Sequence, residues 1–120
     1  RSLKERTDLI KTAGDDLLRK ILPVMDNFER GLKAMEQSTD VDSLREGVVL
    51  IYNRFKEFLT QHGIKEIIAM NEVCDIDHHE AVTTLPAPTE ELKGKVVDVI
   101  EKGYMLHDKV IRFAKVVVGE

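Results

Sequence analysis

Residues 95–118, KVVDVIEKGYMLHDKVIRFAKVVV, decide how the rest of the chain is read. Val96, Val97, Val99 and Ile100 crowd one run, and Val110, Ile111, Phe113, Val116, Val117 and Val118 crowd another. β-Branched and aromatic side chains at this density fit a pleated, half-buried surface, so the segment is β-hairpin material. Lys102-Gly103 and His107-Asp108 break the runs, Gly103 because a residue without Cβ accepts positive φ without a clash. Asp98, Glu101, Lys102, Lys109, Arg112 and Lys115 thread charge through the same segment. A small β-unit with a mixed apolar and basic surface is suited to docking on another protein.

The remaining composition bounds the molecule. A chain of 120 residues makes one domain or two small units. Charged residues at 33% with aromatics at only 5% favour extended, solvent-laced helix over a dense globule. The net charge of −4 is uneven: residues 91–120 carry 6 Lys/Arg against 5 Asp/Glu, leaving 12 against 17 in residues 1–90. That relatively basic end suits an acidic protein surface, whereas nucleic acid would demand a much larger basic excess. Cys74 is the one cysteine, so no intrachain disulfide forms and a reducing compartment is expected. No run of 18 apolar residues is present, so no membrane span or membrane partner is expected.

From Leu3 to Met35 the apolar residues alternate at spacings of three and four. The seam Leu3, Thr7, Ile10, Gly14, Leu17 continues as Ile21, Val24, Phe28, Gly31, Met35, the a and d positions of a heptad. Thr7, Gly14 and Gly31 weaken it, each a hole where a knob should sit. From Leu17 onward a second stripe adds Leu18, Leu22, Met25 and Leu32, which calls for neighbours on two sides. A helix of this span is about 50 Å long, whereas a compact domain of this size has a radius of gyration of about 14 Å. A second copy of the chain is the economical cover for the overhanging seam. Pro23 predicts a bend near residues 19–23, or else two helices broken at Leu22.

After a polar turn over residues 37–42, Ser43-Leu44-Arg45-Glu46 reads as a capping box opening a second helix. Leu44, Val48, Ile51 and Phe55 carry its apolar stripe, and Gly63 stands as its C-terminal cap. Two helices per chain give a four-helix bundle when two chains meet. The dimerisation set is therefore Leu17, Ile21, Val24, Phe28 and Met35 on the first helix, with Leu44, Val48, Ile51 and Phe55 on the second. Residues 64–70 and 80–85 read as short strands around a loop over 71–79, and Pro86 and Pro88 end the second of them. The strands are expected to pair antiparallel in large part. The fold class is thus α+β: a long coiled-coil helix and bundle helix over residues 1–63, then a compact all-β domain over 64–120.

Residue types that carry chemistry are few. Cys74, His78, His79 and Glu80 invite a metal, but the spacing matches no usual zinc set and no second cysteine exists. Neighbouring strand side chains also point to opposite faces, so strand pairing and a helix-facing contact are the expected roles of the two histidines. GxSxG, P-loop, GxGxxG and HExxH patterns are all missing, so no catalysis and no cofactor are expected.

Several blocks resemble one family. Lys102-Gly103-Tyr104, Leu106, Ile111-Arg112, Ala114, Val116 and Val118, preceded by HEAV at 79–82, are similar to the GrpE family, nucleotide exchange factors of DnaK-type chaperones. ILPVMDNFERGL at 21–32 and EGVVLIYNRFKEFLTQHGI at 46–64 match the same family in the same order. The resemblance implies a homodimeric bacterial, cytoplasmic co-chaperone (an organelle matrix being the second setting) that binds the chaperone's ATPase domain, opens its nucleotide cleft and accelerates ADP release. It implies that the β-domain meets the chaperone, by motif position through Ile100, Leu106, Lys109, Arg112 and Val118, and that Gly47 sits where the partners meet. It also implies thermosensing by the long helix. The chain departs from the family at Phe113, where Pro is usual, at Lys109, where Arg is usual, and at Cys74-Asp75-Ile76. The residues alone support a second reading, a dimeric coiled-coil scaffold that displays a β interaction module to another protein. They also leave a small metallo-enzyme using Cys74, His78 and His79, to be revived by stoichiometric zinc.

Overall fold

The computed structural model describes residues 2–120. Two helices, α1 (Leu3–Met35) and α2 (Val41–Gln61), are followed by six short strands: β1 (Ile64–Glu66), β2 (His79–Leu85), β3 (Val96–Glu101), β4 (Tyr104–Leu106), β5 (Lys109–Arg112) and β6 (Ala114–Gly119). This is the expected α+β order of helices first and a small all-β region after. Packing divides the chain into two units, one up to residue 57 and one from 58 onward.

α1 begins at Ser2, whose hydroxyl accepts from the Glu5 N–H at 3.3 Å and so satisfies one of the helix's orphan donors. It runs without a break through Pro23, so the reading of two helices split at Leu22 falls away. The Thr7 hydroxyl donates back to the Leu3 carbonyl at 2.9 Å, which keeps that seam position from competing for outside partners. Gly31 is not an empty hole. A Cβ there would overlap the Ile51 side chain of α2, so the glycine is the socket into which Ile51 packs. Ile51 is buried as a result.

The second helix starts two residues earlier than its expected capping box. Asp40 is the cap: its Oδ1 accepts from the Asp42 N–H at 3.1 Å, and its Oδ2 accepts from the Ser43 hydroxyl at 3.0 Å. Asp and Ser cap about equally well, and the Asp40 carboxylate also meets the positive end of the helix dipole. Ser43 is thereby a helical residue that donates to the cap. At the other end Gly63, at φ +82°, stops α2 as the sequence predicts.

The strands form two three-stranded sheets, ordered β1-β4-β5 and β2-β6-β3. The second half of the opening stretch is a hairpin as expected, β4 and β5 turning at His107-Asp108, with His107 at φ 53°. The first run does not join it. β3 pairs antiparallel with β6, as do β1 with β4 and β4 with β5, so the strands are antiparallel in large part as expected; only β2 pairs in parallel, with β6. Pairing between residues 79–85 and 114–119 is set by long-range packing, which local periodicity does not encode.

The chain leaves one sheet for the other at Lys102-Gly103 and returns at Phe113. The two crossings lie on each other: a Cβ on Gly103 would overlap the Ala114 backbone nitrogen and sit 2.8 Å from its Cα and from the Arg112 carbonyl oxygen. β1 ends at Glu66 rather than continuing to Met70. The Ile67 N–H goes to the Gly103 carbonyl, and Asn71 takes φ 67° so that its N–H reaches the Val96 carbonyl, both at 2.9 Å. Ala69, Val96, Ala114 and Val116 form the core, with Ile67, Cys74, Val99 and Val118 packed against it. Val96 and Val116 have no exposed surface, and each full burial of this kind stabilises by about 1.5–3 kcal/mol.

Candidate functional site

The basic residues of the β-unit prove to have unlike duties. Lys102 pairs with Glu66 at 3.1 Å, Lys115 with Glu101 at 3.5 Å and Arg112 with Glu101 at 3.1 Å. Arg112 also donates through Nε and Nη2 to the Lys102 carbonyl at 2.9 and 2.7 Å, and its guanidinium lies 5.2 Å from the Tyr104 ring centre. The planar fork therefore clasps the segment that crosses between sheets, a task that the point charge of a lysine could not repeat. Lys109, on the outer strand β5, makes no ion pair among the described residues and is exposed. It is the expected docking cation that remains free for another molecule.

The apolar members of the expected docking set also separate. Ile100 is 59% exposed on β3 and Leu106 is 36% exposed on β4, whereas Val118 is half-buried against the core. Leu59, Ile64, Tyr104, Ile111 and Arg112 line an apolar groove on this unit, which the sequence reading did not single out as a group. The pairing of β1 with β4 and β4 with β5 brings the strand members together beside Leu59 at the end of α2, so periodicity gave no signal of the group.

Gly47, on α2, is half-buried, and a Cβ there would meet nothing within 4 Å. The chain itself does not require glycine at that point. Of the dimerisation set, Val24 and Ile51 are buried within the chain, Met35 and Leu44 are half-buried, and Leu17, Ile21, Phe28, Val48 and Phe55 are exposed. From Ser2 through Pro23 every residue is exposed, Leu3, Ile10 and Leu17 of the seam among them.

The histidine loop is tied up internally. Asp75 Oδ2 accepts from His78 Nδ1 at 2.7 Å, and Asp75 Oδ1 accepts from the Asp77 N–H at 2.9 Å. The His78 contact, seconded by the Asp77 N–H, holds the Asp75 carboxyl below the usual carboxylate range. The Asp75 N–H in turn donates to His79 Nδ1 at 3.0 Å, so the buried His79 ring carries its proton on Nε2. His78 lies in the loop as expected, whereas His79 opens β2 one residue earlier than the expected strand start at 80, so the two rings do not share one strand. Among the described residues no group of three or more His, Cys, Asp or Glu is arranged to hold a metal.

The class so defined is an α+β protein whose candidate residues sit on open surfaces of a helical hairpin and of a small β-unit. The GrpE family profile matches residues 1–120, and the chain belongs to that family. It is 50% identical over its full 120 residues to Protein GrpE of Bacteroides thetaiotaomicron, covering 62% of that protein. It is 51% identical over the same residues to Protein GrpE of Bacteroides fragilis, again 62% of it. To Protein GrpE of Brachyspira hyodysenteriae it is 44% identical over 122 aligned positions, 60% of that protein. The chain thus spans about three-fifths of the length of the curated relatives it matches. No helix among the described residues is long and apolar enough to cross a membrane.

Proposed function

We propose that this chain is the exchange-active part of a homodimeric co-chaperone that accelerates ADP release from a DnaK-type chaperone in the bacterial cytoplasm. Family membership across residues 1–120 carries the reading. Residues 1–63 serve dimerisation and residues 64–120 form the head that binds the chaperone's ATPase domain. The exposed Ile100, Leu106 and Lys109 make its contact, together with Gly47 on α2. Arg112 and Val118 support that surface, Arg112 by clasping the crossing segment and Val118 from the core side.

No covalent step is required. A protein that binds the open, nucleotide-free ATPase domain better than the ADP-bound form weakens ADP by the same factor, because coupling between two ligands is reciprocal. The account needs a ratio of the size usual for such coupling, about 5–150-fold. Titration calorimetry of the dimer against the isolated ATPase domain, with and without ADP, tests it. Tighter binding to the nucleotide-free form by at least that lower bound is expected; equal affinities would leave the plain scaffold reading instead.

The bare stretch of α1 from Ser2 to Pro23 supports a paired, heat-sensitive arm. With Gly31 filled by Ile51, the weak points of the seam are Thr7 and Gly14. Melting therefore begins in the N-terminal part of the pair, ahead of the bundle.

A further inference from the structure

The helical hairpin has two unlike faces. On one, Leu18, Leu22, Met25 and Leu32 of α1 fall at helical spacing, and Leu22, Met25 and Leu32 are 56–61% exposed. Val41, Val48, Tyr52 and Phe55 of α2 are exposed at matching spacing, and this bare apolar face suits the second copy. Across the Gly31–Ile51 seam lies a groove of different character. α1 contributes Asn27, Arg30, Gly31 and Ala34, and α2 contributes Gly47, Leu50, Ile51 and Arg54, each set at spacings of three, four and seven.

Its floor is small and apolar, and its rim carries two cations. Arg30 Nη1 and Arg54 Nη1 lie 3.4 and 3.5 Å from the same acceptor, Asn27 Oδ1. Neither arginine forms an ion pair among the described residues, and Glu57, one turn beyond Arg54, does not pair with it. One neutral amide oxygen at the limit of hydrogen-bond range is a poor partner for two guanidinium groups that repel each other. A carboxylate between them would relieve the repulsion and accept charge-assisted forked bonds. In a chain of net charge −4, this local positive pair stands out.

We infer that the Arg30–Arg54 groove is a carboxylate-reading dock for an acidic segment of the partner protein, an Asp or Glu lying between the two guanidinium groups and a neighbouring apolar side chain over Gly47. The apolar floor favours a protein segment over a free anion, which would leave that floor uncovered. Gly47 has open space above it on this face, so a partner side chain can come down to the α2 backbone. The inference rests on the chaperone reading above and adds the chemistry by which the helical unit selects its partner.

The test compares wild type, R30Q/R54Q and R30K/R54K for affinity to a DnaK-type chaperone at several salt concentrations, with sedimentation and helical circular dichroism as controls. Expected for R30Q/R54Q are at least a tenfold loss of affinity and a shallower salt dependence, with unchanged helix content and dimer mass. R30K/R54K keeps the salt dependence but recovers only part of the affinity. Unchanged affinity and salt slope in R30Q/R54Q, with wild type active in exchange, would overturn the inference and leave the exchange reading standing. Loss of dimer mass in R30Q/R54Q would also overturn it, by assigning the groove to the second copy. A wild type that does not bind the chaperone would remove the exchange reading itself, and the dock with it.

Discussion

Two glycines show how one residue type serves opposite ends. Gly103 is needed by the fold, since any Cβ would drive into the Ala114 backbone and the Arg112 carbonyl, neither of which can rotate away. Gly103→Ala should cost about 1–3 kcal/mol of β-unit stability, read by urea unfolding. Gly47→Ala should cost the fold nothing and gain up to about 1 kcal/mol of helix propensity, because a Cβ there meets open space. The same unfolding experiment separates the two, and equal losses would contradict the assignment. Asp75 gives a pH prediction. Its carboxyl is held below the ordinary range by His78 and then by the Asp77 N–H. Stabilisation from a depressed carboxylate is complete above its unfolded value of about 3.9 and is lost as pH falls through the lower folded value. The 71–79 loop should therefore keep its amide protection from neutral pH down to about 4 and loosen only in stronger acid. Carboxyl-carbon NMR that gave Asp75 an ordinary value would contradict this. Single residues were partly legible: Gly63 as a helix stop was readable from φ preference and position. Gly103 was readable as a break, but the expected positive φ is not its reason, since it is required by the close approach of the Ala114 and Arg112 backbone. Asp40 as the cap was hidden by a better-known Ser-x-x-Glu pattern three residues on, and Arg112 as a clasp was hidden because its acceptor, a backbone carbonyl, has no sequence signature.

At the scale of elements, helical periodicity read well because it is local. The bounds of α1 at Leu3 and Met35 follow from a seam that every turn repeats. The sheet pairings read poorly because β3 and β4, adjacent in sequence, belong to different sheets, and β2 finds β6 across residues 86–113. The long helix carries its own prediction. Gly14 lies in the bare part of α1 with nothing within 4 Å of an added Cβ. Gly14→Ala should add about 1 kcal/mol of helix propensity and raise the first, reversible loss of circular dichroism at 222 nm, leaving the later transition in place. A single cooperative transition in both proteins would contradict an arm that melts on its own.

For the whole molecule, the exposed leucines and methionine of α1 and the exposed Val48, Tyr52 and Phe55 of α2 are the surface that the second copy in the proposed dimer would cover. Sedimentation equilibrium should give about twice the chain mass of 13.7 kDa, and Met25→Glu with Tyr52→Glu should return it to that of one chain. A wild type that sediments as one chain would contradict the paired arm and bundle. The exchange account as a whole depends on one kinetic quantity, the rate at which a DnaK-type chaperone loses ADP. Stopped-flow release of a fluorescent ADP analogue, with and without this protein, measures it directly. A large acceleration that Gly47→Asp abolishes, with the variant's helix content and dimer mass intact, is the result this account predicts. No acceleration by a folded wild-type dimer would contradict it.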